Sequence, residues 1–431
     1  MDTDKTSQKS PTHSLKVLER YSVAKMAHWL VWTLVILSTL TTLALWASLD
    51  AKYGSYYGAR STRSKGVVGL FMGFYDDTRD YLRRNQRRTY IGGINAGQPP
   101  IVCPEIDIAG SKTNVSIDVS EIDLKHVEEE VFKEDLADVR KFTADATQDV
   151  RSMYRHTKKA AEKGLMLKDI LSEGMKVGDN YWYVPGGHWI PASCIPRWKV
   201  AIIIPFRDRF VHLPIILRHL VPFLKEQYLE FGIFFVEQAN ELEFNRAMLM
   251  NVGYIEALNY TQWDCFIFHD VDHIPLSHGN FYGCSGMPKH FLSGADRWGY
   301  KLLYSFFFGA VTGFTRSQVA DFNGFPNTYW GWGGEDDDIL GRMRSVGLFK
   351  TRPWGQVGFY NVIPHHHKSA PKNKNRVCLL NHYKQRLSTD GLVNLKYGTP
   401  RVTLLPLYTN ISVDIQHLPW NEQWLDCKED A

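Results

Sequence analysis

The sequence lacks any marked excess of charge: 50 Lys and Arg stand against 46 Asp and Glu, leaving +4 at pH 7 over 431 residues. The basic residues are scattered, so nothing forms the cationic face that a nucleic acid requires. No internal repeat and no low-complexity run is present, which excludes repeat and disordered architectures. Cysteine is sparse, six in all, and none precedes Cys103. The most telling absence is local. From Met26 to Leu49 there is no Asp, Glu, Lys or Arg. The run HWLVWTLVILSTLTTLALWASL has 22 residues, and roughly 20 apolar residues span a bilayer core. Trp29, Trp32 and Trp46 lie towards its ends, as interfacial aromatics do. No small-residue cleavage site follows, so the run reads as an anchor and not as a removed signal peptide.

What is present is 44% hydrophobic and 13% aromatic, enough for one large domain or two ordinary ones. Charge does not orient the anchor. Five Lys/Arg and three Asp/Glu precede it, and four Lys/Arg and one Asp fill Asp50 to Lys65. Cysteines and sequons do: all six Cys and the N-x-S/T sites at Asn114, Asn259 and Asn410 lie after it. The layout expected is a cytosolic tail at 1–25, a signal anchor at 26–49, a stem at 50–100, and a lumenal body at 101–431. Within that body, 101–197 forms an N-terminal part carrying a helical insertion and 198–431 the catalytic part. In 118–174, Val127, Val131, Leu136 and Val139 recur at near-helical spacing and predict amphipathic scaffold helices.

From Trp198 onward the pattern alternates. Lys199 to Pro205, Gly232 to Val236 and Cys265 to Phe268 read as buried strands. Residues 210–224 and Phe244 to Leu258 read as the helices between them. This βαβαβ order predicts an α/β fold with a mostly parallel twisted sheet flanked by helices. Ligands of such sheets sit at the carboxyl ends of strands. Arg207 and Arg209 follow the first strand, and Asp270-Val271-Asp272 follows the third.

Two carboxylates two apart past a buried strand suit a hard divalent cation or a metal-bound diphosphate. The twin guanidiniums suit phosphate or ribose. Tyr329-Trp-Gly-Trp-Gly-Gly-Glu-Asp-Asp-Asp338 is the densest stretch. Four consecutive acids repel one another unless compensated. Trp330 and Trp332 are the residue type that stacks on a sugar ring, and one carboxylate suits a general base on an acceptor hydroxyl. In His365-His366-His367, alternate residues of an extended segment face one way, so His365 and His367 can reach one metal.

The stretch from Lys199 to Tyr397 resembles the β-1,4-galactosyltransferases. The matching motifs are VAIIIPFRDR (200–209), FNRA (244–247), NVGYIEA (251–257), FHDVD (268–272), NGFPNTYWGWGGEDDD (323–338) and LSTDGL (387–392). The resemblance implies a GT-A fold, Mn²⁺, and inverting transfer of galactose from UDP-galactose to the 4-hydroxyl of a terminal GlcNAc on protein or lipid. It also implies a single-pass type II Golgi membrane protein, and it allows a homodimer. Pro205, Phe206, Arg207, Arg209, Phe244, Arg246, Asp270, Val271, Asp272 and Trp332 are implied donor contacts. Asp336 is the implied base, with Tyr304, Glu335 and Asp337 at the acceptor. Asp272, His365 and His367 are the implied metal ligands. Cys265 with Cys284 and Cys103 with Cys194 resemble the family's disulfides, whereas Cys378 and Cys427 have no counterpart.

Three residues depart from the pattern. The family often has M-x-x-H as its last metal motif; here Val362 stands in place of Met, and its side chain has no ligand atom. Phe307 stands where a tyrosine restricts the donor to galactose in some members and a smaller aliphatic residue admits N-acetylgalactosamine. His269 has no role beyond a buried polar contact. The competing readings are N-acetylgalactosamine transfer, a carbohydrate-binding pseudo-enzyme, and a metal-dependent phosphoesterase, which would not need the tryptophan-rich loop.

Overall fold

The structure, a computed structural model, describes residues 101–104, 115–155, 174–364 and 371–418, with the backbone alone over 147–155. All belong to the compact unit Phe71–Ala431. The expected tail, anchor and stem lie outside the described residues, as do Asn114, His365, His367 and Cys427. Among the described residues no helix is long and apolar enough to cross a membrane.

The alternation read from Trp198 onward is the framework of the sheet. Strand β4 (Lys199–Phe206) is followed by helix α3 (His212–Glu226), β5 (Glu230–Gln238), α4 (Arg246–Tyr260) and β6 (Cys265–His269). They are preceded by α1 (Leu124–Phe132), α2 (Leu136–Arg155) and the short strands β1 (Met175–Val177), β2 (Tyr181–Val184) and β3 (His188–Pro191). After β6 come β7 (His273–Pro275), β8 (Lys289–His290), β9 (Gly294–Ala295), β10 (Val311–Thr315) and α5 (Arg316–Asp321). Then follow α6 (Glu335–Ser345), β11 (Phe359–Val362), α7 (Arg376–Asn381), α8 (Tyr383–Arg386), β12 (Arg401–Leu404) and β13 (Thr409–Val413).

The sheet is mixed, not mostly parallel. Its order is β1-β2-β3-β5-β4-β6-β10-β8, with the β12–β13 hairpin joined to β5. Parallel pairing is confined to β5–β4, β4–β6 and β13–β5. Parallel neighbours need a long crossover, and α3 and α4 supply it only between β4, β5 and β6. The chain returns to the sheet elsewhere through hairpins or loops, and β3, β10, β2 and β8 pair antiparallel. A second sheet of three strands, β7-β11-β9, stands beyond β6.

Alternation along β4 supplies both faces of the sheet. Val200, Ile202 and Ile204 enter a core with α1 and α3, while Ala201 and Ile203 enter another with α4 and α6. The expected helices of 118–174 pack on the first of these. Phe132 stacks on Trp189 with ring centroids 5.2 Å apart. Arg218 on α3 clamps Asp118 and Glu130, each at 2.9 Å.

Candidate active site

Register sets the site. Ile203 on β4 lies opposite Phe268 on β6, so Arg207 and the D-V-D both emerge at the carboxyl edge of the parallel core. Helix α4 starts at the same edge. Asn245 caps it by accepting the Met248 amide at 2.9 Å. That cap makes Arg246 the first helical residue.

Arg246 joins the two acidic motifs. Nε donates to Asp270 Oδ1 at 2.7 Å, and one terminal nitrogen donates to Asp336 Oδ1 at 2.9 Å and faces Glu335 Oε1 at 3.5 Å. Burial would lower the guanidinium's pKa, but Asp270, Asp336 and Glu335 together raise it above its ordinary value. Asp336 is raised to about 8, chiefly by burial and also by Glu335 and Asp270, against the opposing pull of Arg246. Glu335 is raised for the same leading reason, and its Oε2 is buried with no partner among the described residues.

The four consecutive acids open helix α6, whose N-terminal dipole tolerates them, and each has its own partner. Glu335 and Asp336 face Arg246. Asp337 accepts from the Tyr304 hydroxyl at 2.9 Å. Asp338 is fully buried: it accepts from Arg342 Nε at 2.6 Å, from the Tyr329 hydroxyl at 2.9 Å, and from Arg386. Arg386 and Arg342 also bind Asp390. This quartet of charges, wholly inaccessible to water, ties the first turn of α6 to the LSTDGL segment. The preceding loop turns through Gly331, Gly333 and Gly334 at φ of 81°, 100° and 105°, a region that favours glycine. Gly309 abuts the carboxyl of Asp336: a Cβ there would stand 2.0 Å from Oδ2.

Trp332 is 41% exposed. Its amide donates to Pro371 O at 2.8 Å, and the Arg376 guanidinium lies 5.8 Å from its ring. Trp330, by contrast, is buried and stacked on His417 at 4.0 Å, so it is not open to a sugar. Pro205, Phe206 and Val271 are also buried. Arg207 lies over the Phe244 ring at 5.2 Å and donates to Leu242 O. Arg209 is partly exposed, and its carbonyl accepts the first amides of α3. Phe307 is buried against Tyr304, His290 and Trp298, with ring centroids 5.5, 5.6 and 5.7 Å away. His269 bonds the Asp270 carbonyl and Tyr282, and burial lowers it to about 3, so it is neutral.

A cation site is present in outline. Asp270, Asp272 and His273 bring carboxylate oxygens and an imidazole nitrogen within 4.8 Å of one another. The carboxylates of that cluster suit Mn²⁺ or a similar divalent ion, whereas the His273 ring is bonded through Nδ1 to Asp272 Oδ1 at 2.7 Å. The amide of Ile363 donates to Asp272 O at 2.8 Å, so the chain reaches Asp272 two residues before His365. Among the site-forming residues, His273, Arg342, Arg386 and Asp390 carry little signal of their own. His273 is marked only by following the D-V-D, Asp390 only by standing in LSTDGL, and Arg342 and Arg386 only by lying four residues from an acid.

The structure holds the disulfides Cys103–Cys194 and Cys265–Cys284, the latter bracketing the D-V-D. Cys378 is also disulfide-bonded, to a partner outside the described residues. Of the two described sequons, Asn259 is exposed, whereas the Asn410 amide donates to Glu237 within the sheet.

Residues 158–285 match the model of the N-terminal region of glycosyl transferase group 7, and residues 289–366 match that of the N-terminal domain of galactosyltransferase. β-1,4-Galactosyltransferase 5 of Mus musculus is 52% identical over 230 residues, 53% of this chain and 59% of the mouse protein. The match thus spans about three fifths of that relative's length. β-1,4-Galactosyltransferase 4 of Cricetulus griseus is 43% identical over 254 residues, 59% of this chain and 72% of the relative. A solved Drosophila β-1,4-galactosyltransferase 7 mutant, in complex with manganese, UDP-Gal and xylobiose, is 30% identical. It covers 53% of this chain and 98% of its own, with a TM-score of 0.44. The motif set, the two family matches and the hamster relative together place this chain in the β-1,4-galactosyltransferase family.

Proposed function

We propose that the protein transfers galactose from UDP-galactose to the 4-hydroxyl of a terminal GlcNAc-type acceptor, with inversion and with Mn²⁺ as cofactor. The observation that carries this reading is Arg246 bridging Asp270 and Asp336, which couples the donor end of the site to the base.

In this reading Asp336 takes the proton from the acceptor hydroxyl as that oxygen attacks the anomeric carbon. Burial and the neighbouring acids make this carboxylate a stronger base than an ordinary one, and it accepts the proton from its ionised form. Attack from the face opposite UDP converts an α-linked donor into a β-linked product. Trp332 offers an open ring to the acceptor, while Tyr304, Asp337 and Glu335 border it. Arg207 and Arg209 attract the diphosphate. Asp272 with His365 and His367 would hold the cation, which when bound supplies Lewis-acid stabilisation of the departing UDP. Phe307 keeps the bulk that disfavours N-acetylgalactosamine, although transfer of that sugar is the runner-up. The body is proposed to be lumenal, anchored in the Golgi membrane by residues 26–49, with a short cytosolic tail and a stem at 50–100. Asn259, Asn410 and Asn114 are its candidate glycan acceptors.

The test is UDP release by the purified protein with UDP-galactose or UDP-N-acetylgalactosamine and a GlcNAc-terminated acceptor, with and without Mn²⁺. Expected is acceptor-stimulated, metal-dependent release that Asp336→Asn lowers by about 10²–10⁴-fold. Folded protein that releases no UDP from either donor across several acceptors and metals would turn the reading to carbohydrate binding alone.

A further inference from the structure

We propose that His273 is a positioning residue of the metal centre: its ring donates a hydrogen bond to Asp272 and sets how that carboxylate faces a divalent cation. This rests on the reading of Asp272 as a ligand.

His273 opens β7 and is 6% exposed, with Nδ1 2.7 Å from Asp272 Oδ1. An ionised carboxylate can only accept, so the imidazole donates there. That bond fixes the rotation of the Asp272 carboxylate about its own axis.

Cross-strand register adds a second reason. His273 lies directly opposite Val362 in the antiparallel β7–β11 pair, and directly opposite residues project from the same face of a sheet. Val362 offers that face no ligand atom. β11 is the strand that leads towards His365, and just beyond it the Ile363 amide donates to Asp272 O at 2.8 Å. The imidazole therefore stands where the D-V-D turn meets the end of β11.

A purely structural role fits poorly. Nε2 of His273 is buried and has no partner among the described residues. A leucine would fill similar volume without stranding a polar atom, so what the histidine adds is the bond from Nδ1. The rings of Tyr360 at 6.2 Å and Trp298 at 6.5 Å flank the imidazole without competing for that bond.

Affinity can be read without turnover by titrating Mn²⁺ into the full chain and following the free ion by electron paramagnetic resonance. His273→Leu removes the donor. His273→Asn places an amide N–H near the position of Nδ1, and His273→Gln places one nearer Nε2. Expected is a loss of about 10- to 100-fold in Mn²⁺ affinity for the Leu and Gln variants, with Asn keeping most of the wild-type affinity. Wild-type affinity in the Leu variant, or Asn as weak as Leu, overturns the proposal. Thermal melts of the metal-free variants show that each is folded. Asp272→Asn is the control on the parent reading: if it binds Mn²⁺ as the wild type does, Asp272 is no ligand and both ideas fall. If it loses the ion while His273→Leu keeps it, only the role of His273 falls.

Discussion

Replacing Arg246 by Leu perturbs the site at its centre. Three carboxylates share this one guanidinium, whose side chain is 15% exposed. A unit pair about 4 Å apart in an effective dielectric of about 20 is worth about 4 kcal/mol, and breaking a buried pair costs about 3–5 kcal/mol. With Arg246 gone, the main influence opposing protonation of Asp336 is lost, while burial, Glu335 and Asp270 remain. The pKa of Asp336 then moves further up from about 8. A carboxylate acts as a base only above its pKa, so the acid limb of kcat/KM shifts to higher pH and activity at neutral pH falls. If about 3–4 kcal/mol is lost from the transition state, the fall at pH 7 is about 10²–10³-fold, at about 1.4 kcal/mol per decade. Initial rates of UDP release across a pH series read both quantities. The variant should regain part of its deficit as pH rises. An acid limb that stays where it was, with an equal deficit at every pH, would show that Arg246 does not govern the charge of Asp336.

Three further predictions concern neighbours of that pair. Arg386→Met leaves the charges of Asp338 and Asp390 to the Arg342 guanidinium; chemical denaturation should show a loss of about 3–5 kcal/mol, smaller when Asp390→Asn is added. Gly309→Ala puts a methyl 2.0 Å from Asp336 Oδ2 and should lower kcat by about 10²-fold through displacement of the base, with little change in unfolding temperature. Phe307→Ile opens space beside Tyr304 and should raise the ratio of N-acetylgalactosamine to galactose transfer by about tenfold or more in donor competition.

The central strands were legible because burial on both sides leaves a continuous apolar run, as in Val200 to Pro205, and only a strand between helices buries such a run at that length. The two crossover helices followed from periodicity, and the placement of Arg207 and Asp270 at the carboxyl edge followed from the alternation. The flanking strands did not follow. β1 to β3 are only 3 or 4 residues long, too short for a period to declare itself, and their antiparallel pairing depends on where the chain returns. Hence the sheet read as mostly parallel and is mixed.

Within the site, residue type alone marked Asp270, Asp272 and the stretch Tyr329 to Asp338, since adjacent acids and glycine-flanked tryptophans are costly without a purpose. The resemblance alone singled out Asp336 among the four consecutive acids; the partner that each of them takes was not in the pattern. Only the fold brings Arg386 to Asp338, Tyr304 to Asp337 and Arg246 to Asp336, over separations of up to 90 residues, whereas Arg342 meets Asp338 within one turn of α6. The two tryptophans were likewise equivalent in sequence, and packing alone buried Trp330 on His417 and left Trp332 open. Local propensity and burial are written residue by residue along the chain. Charge pairing and exposure belong to contacts between distant segments, and these exist only once the sheet has set its register.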